Sequence, residues 1–66
     1  MNKGVEALIN TRRARFITQE ELADKIGLKR STIASIEAGI NTPSVATAKL
    51  IANELNFYWT LFFEEE

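Results

Sequence analysis

The sequence predicts an all-α domain organised around a helix-turn-helix, and three observations carry that prediction. Two apolar stripes, Leu22, Ala23 and Ile26 and then Leu28, Ile33 and Ile36, lie on either side of Gly27, the spacing of two short helices joined by a sharp turn. Thr18 followed three residues later by Glu21 matches the capping box that opens a helix. Apolar residues also recur at helical spacing on both flanks of this unit, at Val5, Leu8 and Ile9 and at Val45, Ala48, Ile51, Ala52 and Leu55.

A first helix is expected over about Lys3 to Arg15. Its stripe of Val5, Leu8 and Ile9 continues into Arg12, whose aliphatic stem can line apolar surface while its head reaches outward. Lys3, Arg13 and Arg15 are read as solvated cations, the two arginines adding long-range attraction to phosphate. The second helix opens at Thr18. Its first turn, with Gln19, presents free N–H groups and a positive dipole end that can hold a phosphate oxygen. Glu20, Glu21 and Asp24 suit that dipole but weaken phosphate attraction nearby. The two stripes around Gly27 must face each other. Ala23 is small where the helices approach most closely, and Gly27 stands where the reversal wants a left-handed backbone that a Cβ penalises by about 1–2 kcal/mol.

The third helix should begin at Lys29 or Arg30. Lysine cannot accept from the open N–H groups there, so the cap is weaker by about 1 kcal/mol, and Lys29 is expected to face DNA instead. The core stripe leaves Arg30, Ser31, Ala34 and Ser35 together on an unused face. That face is polar, short-chained and led by an arginine, as a helix entering the major groove requires. Arg30 is the leading base reader, bidentate to guanine O6 and N7, with Ser31 and Ser35 as shorter-range partners. Thr32 would touch a phosphate or a thymine methyl. Gly39 ends the helix, and Ile40 to Pro43 form a loop in which Asn41 tolerates a left-handed turn.

A fourth helix is expected from about Ser44 to Leu55, capped by Ser44 or Thr42, with Val45 on its buried stripe and Lys49 solvated. Asn56 closes it in the left-handed conformation, and Phe57 drops into the core. Tyr58 to Phe63 is then a short last helix, unusually apolar, with Trp59 and Phe62 facing inward. Tyr58, Leu61 and Phe63 remain as an apolar patch of the kind that marks a partner surface, unless it packs on the first helix. Residues 63–66 are read as a solvated tail.

Residues 17–45, ITQEELADKIGLKRSTIASIEAGINTPSV, resemble the phage-repressor and Cro-type helix-turn-helix family, the xenobiotic response element family of small regulators. The likeness extends more loosely over nearly the whole chain. Its motifs are specific: a Thr-Gln opening, a small residue, a Gly turn, Ser-Thr-Ile, a terminal Glu and a following Gly fall in register at once. The resemblance implies a compact five-helix, lambda-repressor-like domain with helix 3 in the major groove. It implies that Gln19 contacts backbone phosphate with Thr18 beside it, that Arg12 pairs with Glu37, and that Asn41 approaches DNA. It also implies a homodimer formed through the final helix, whose two recognition helices would read a palindrome about one DNA turn, ~34–36 Å, apart. Two positions depart from the family: Phe16 stands where a glycine commonly ends helix 1, so that helix should stop without the usual left-handed glycine cap while Phe16 covers apolar surface, and Lys29 stands where Ser or Thr is usual. Basic residues frequent in the loop after helix 3 are absent.

Size and composition bound the rest. A chain of 66 residues makes one domain, residues 1–66, and buries only about 60% of its unfolded surface. With no cysteine and no histidine, it has no disulfide and none of the usual zinc or redox ligands, so no cofactor or metal is expected and a reducing, cytoplasmic setting fits. No stretch approaches the roughly 20 apolar residues of a membrane span. The net charge of −1 hides a segregation: residues 1–50 sum to +3 and residues 51–66 to −4, as expected of one binding face and one repelled end. No catalytic role is expected, because the sequence has no His, no Cys, no glycine-rich phosphate loop and no convergent carboxylate pair to do general acid–base or nucleophilic work. The leading function is a sequence-specific regulator of transcription, a repressor, binding double-stranded DNA as a homodimer without a small-molecule effector. Restriction-modification controllers, antitoxin subunits and a protein-interaction module without DNA affinity are the alternatives on the same scaffold.

Overall fold

The computed structural model describes residues 2–64. Among these, every regular element is helical: α1 (Lys3–Ala14), α2 (Gln19–Ile26), α3 (Arg30–Glu37), α4 (Val45–Leu55) and a closing 3₁₀ helix (Trp59–Phe63). The expected five-helix, all-α order is met, with the last helix wound more tightly than an α-helix.

Local chemistry sets each boundary. Asn2 caps α1 by accepting from Val5 N–H at 3.0 Å. Thr18 and Glu21 form the full reciprocal box at the start of α2, and Ser44 accepts from Thr47 N–H at the start of α4. Gly27 and Asn56 close α2 and α4 with φ of 73° and 63°. A side chain at Gly27 would meet nothing within 4 Å, so conformation and not space demands glycine there.

The end of α1 corrects the sequence reading. Phe16 has φ of +56°, and the N–H groups of Phe16 and Ile17 return to the carbonyls of Arg13 and Arg12. This is the paired closure that glycine usually makes at a helix end, built on a phenylalanine. Nor does Phe16 cover apolar surface: it is 93% exposed.

The core gathers Val5, Leu8, Leu22, Ala23, Ile33, Ile36, Ala48, Ile51, Leu55 and Phe62, with Ile9, Ile17, Ile26, Leu28, Phe57 and Trp59 packed against it. Val45 is not on the buried stripe of α4 as expected; it is 47% exposed at the first turn. The 3₁₀ helix seats Phe62 directly over Gly4, where a Cβ would lie 2.5 Å from Phe62 Cα. Asn2 Nδ2 donates to Phe62 O at 2.7 Å, so the first and last elements are joined at the same place. Trp59 is half-buried, edge-on to Phe63 and beneath the Lys49 ammonium, 5.0 Å from the ring centre; Lys49 is therefore engaged and not merely solvated.

Arg15 is also engaged. Its guanidinium donates to the carbonyls of Glu54 and Leu55 at 3.0 and 3.3 Å, satisfying open acceptors at the end of α4 where a cation complements the dipole. Lys25 approaches Glu54 at 3.7 Å, an exposed pair worth little by itself. The C-terminal ends of α1, α2 and α4 thus meet on one side, leaving the start of α2 and the outer face of α3 uncovered.

Candidate nucleic-acid interface

Two hydrophobic anchors set the orientation of α3. Ile33 and Ile36 are buried, and on a helix of 3.6 residues per turn this turns Arg30, Ser31, Ala34 and Ser35 outward. Arg30 and Ser31 are exposed, while Thr32, Ala34 and Ser35 are half-buried. The ridge is low except at its leading end, where Arg30 projects. Lys29 sits at the cap position with no side-chain cap bond, so the amides of the first turn stay open beside two cations.

The loop after α3 folds back on that helix. Ser35 O accepts from both Ile40 and Asn41 N–H, at 3.0 and 3.3 Å. Asn41 is exposed and lies beside the C-terminal end of the Arg30–Ser35 ridge. Ile40 is exposed as well.

The start of α2 is held against α3 by one side-chain cluster. Arg12, buried at the end of the α1 stripe, donates through Nε to Glu37 Oε2 at 2.7 Å and through Nη2 to Glu37 Oε1 at 3.0 Å. Its remaining Nη1 donates to Ile17 O at 2.8 Å, fixing the backbone just before Thr18. The bond to Glu37 raises the Arg12 pKa against the opposing effect of burial, so the guanidinium is charged at every relevant pH. Arg12 does not reach for solvent along its stem. Gln19, half-buried, donates through Nε2 to Glu37 Oε1 at 3.0 Å, a contact the sequence reading did not foresee. Thr18 is exposed, its hydroxyl accepting from Glu21 N–H. The Thr18 backbone N–H, and then the Thr18 side chain, lower the Glu21 pKa.

The structure therefore brings Thr18, Gln19, Lys29, Arg30, Ser31, Thr32, Ser35 and Asn41 onto the helix-turn-helix surface. Tyr58, Leu61 and Phe63 belong to the closing segment: Tyr58 is 80% exposed, Phe63 is 45% exposed and Leu61 is half-buried. Of the expected tail, Phe63 ends the 3₁₀ helix and Glu64 is exposed; residues 65–66 lie outside the described residues. No described helix is long and apolar enough to cross a membrane.

A family model described as Helix-turn-helix (HTH_3) matches residues 8–62. An uncharacterised HTH-type transcriptional regulator of Bacillus subtilis (strain 168), YqaF, is 44% identical over 48 residues, covering 73% of this chain and 63% of that protein. An uncharacterised HTH-type transcriptional regulator of Archaeoglobus fulgidus is 47% identical over 45 residues, covering 67% of this chain and 64% of its own length. The crystal structure of an HTH_3 family transcriptional regulator from Vibrio cholerae superposes with a TM-score of 0.78 at 27% identity, over 94% of this chain and 35% of that one. The chain spans less than two thirds of the length of each of these relatives.

Proposed function

This chain belongs to the HTH_3 helix-turn-helix family, and from that premise we propose that it is a sequence-specific double-stranded DNA-binding regulator that represses transcription by occupying a palindromic operator as a homodimer. The observation that carries the reading is the outward ridge of α3. It rests on two buried isoleucines, Ile33 and Ile36, and is led by exposed Arg30 and Ser31 over an uncapped first turn. An arginine fork at such a position matches guanine O6 and N7, and short serines allow close approach to base edges. Arg30, Ser31 and Ser35 read bases. Thr18, Gln19, Lys29, Thr32 and Asn41 contact phosphate or sugar along the flanks, fixing register without reading sequence.

In this reading Tyr58, Leu61 and Phe63 form the surface between the two copies. A two-fold pairing of that patch is self-complementary and sets two α3 ridges against successive turns of one DNA face. The test is selection of bound duplexes from a random pool by purified protein, read with its mass in solution. An inverted repeat recovered by a dimer, with affinity falling linearly in log–log form as salt rises, is the expected result. Absence of any selected sequence, or affinity indifferent to salt, overturns the proposal.

A further inference from the structure

Glu37 has more to do than balance Arg12. Its two oxygens accept three bonds: Oε2 from Arg12 Nε, and Oε1 from both Arg12 Nη2 and Gln19 Nε2. Arg12 in turn holds the Ile17 carbonyl immediately before the capped start of α2. The cluster reaches from the core to a side chain at the first turn of α2 in two steps. A carboxamide nitrogen carries two hydrogens, so Gln19 can give one to Glu37 and keep the other.

We propose that Glu37 is a positioning residue for DNA binding, which fixes the Gln19 carboxamide so that its second N–H is already aimed at a backbone phosphate before the duplex arrives. This rests on the DNA-binding reading above. A carboxylate this close to a polyanion would ordinarily repel it; the Arg12 guanidinium cancels that charge, which lets an acid serve as the acceptor. A free glutamine in a first helical turn samples many rotamers, and ordering such a side chain on binding costs affinity. Ordering it in advance is worth about three- to tenfold in Kd.

The test separates positioning from folding. Arg12→Met and Glu37→Leu introduced together replace the buried pair by apolar groups of similar bulk, a change that often leaves stability intact, while removing the acceptor of Gln19. Kd for the selected duplex is measured for wild type, Gln19→Ala, the pair replacement, and the pair replacement carrying Gln19→Ala. In the wild-type background Gln19→Ala should weaken binding about three- to tenfold, and in the pair-replaced background less than about twofold. Equal losses in the two backgrounds overturn the proposal, as does a pair-replaced protein that binds as tightly as wild type. Should the pair-replaced chain not fold, side-chain nitrogen relaxation of Gln19 in the free wild-type protein decides: a carboxamide as ordered as the backbone supports the proposal, and a freely reorienting one overturns it. A wild-type chain that binds no duplex overturns the DNA-binding reading itself, which is distinct from binding a duplex without coupling between Gln19 and Glu37.

Discussion

Arg30 and Phe16 are both exposed side chains, yet they make opposite demands on the molecule. If Arg30 reads a guanine, Arg30→Ala should cost about 1–3 kcal/mol on the selected operator and relax preference at one symmetric base pair. A binding assay across single-base variants checks this, and an equal loss on every duplex would reassign Arg30 to phosphate. Phe16 holds φ of +56° with 93% of its surface in solvent, so its side chain gains no packing that a glycine there would forfeit. Phe16→Gly should raise stability by about 1 kcal/mol, roughly 4–8 °C in Tm, by thermal melting. The missing glycine at position 16 was visible in the sequence, but not that the left-handed closure would form on phenylalanine itself, with Ile17, one residue on, packed against the core. Gly27, Thr18, Ser44 and Asn56 were legible because each acts within five residues of itself. Arg15 and Gln19 were not, since their partners lie 39 and 18 residues away and no local pattern encodes them.

At the scale of elements, the Arg12–Glu37 pair joins α1 to α3. Because both side chains are largely buried, losing one strands the other's charge, and Arg12→Ala should destabilise the domain by roughly 3–5 kcal/mol in a denaturant titration. The capping box of α2 makes a pH prediction. Glu21 has its pKa lowered by Thr18, so its ionised form favours the folded state above the ordinary carboxylate range, and this is lost as pH falls through the lowered value. Glu21→Gln should therefore melt below wild type at neutral pH, with the gap narrowing at pH below about 4. The recognition element sets its own limit: 8 residues of α3 make a rod of about 12 Å, enough for only about 3–4 base pairs at ~3.4 Å each. The four α-helices and the ridge of α3 were readable from apolar spacing taken with the cap residues Thr18 and Ser44 and the turn at Gly27. The tight winding of the last segment was not, because five large apolar residues in six leave no periodicity to read.

For the whole domain, the backbone extends 28 Å along its longest axis and carries one α3 ridge, whereas equivalent points on successive DNA turns lie ~34–36 Å apart. Two ridges in register therefore call for two copies, which is why pairing through Tyr58, Leu61 and Phe63 matters to the proposed function. Across a two-fold axis a new charge meets its own image. Tyr58→Asp should then shift the sedimenting species to monomer and weaken binding to the inverted repeat by at least about tenfold, leaving the fold intact since Tyr58 is 80% exposed; a dimer that persists would place the pairing surface elsewhere. The seat of Phe62 over Gly4, fastened by Asn2, bears on how the protein comes into being. In a chain emerging from the ribosome, the stretch of α1 around Gly4 stays uncovered until the aromatic ring 58 positions later has been made. The joint between the first and last elements is therefore the last of these helix contacts that can form.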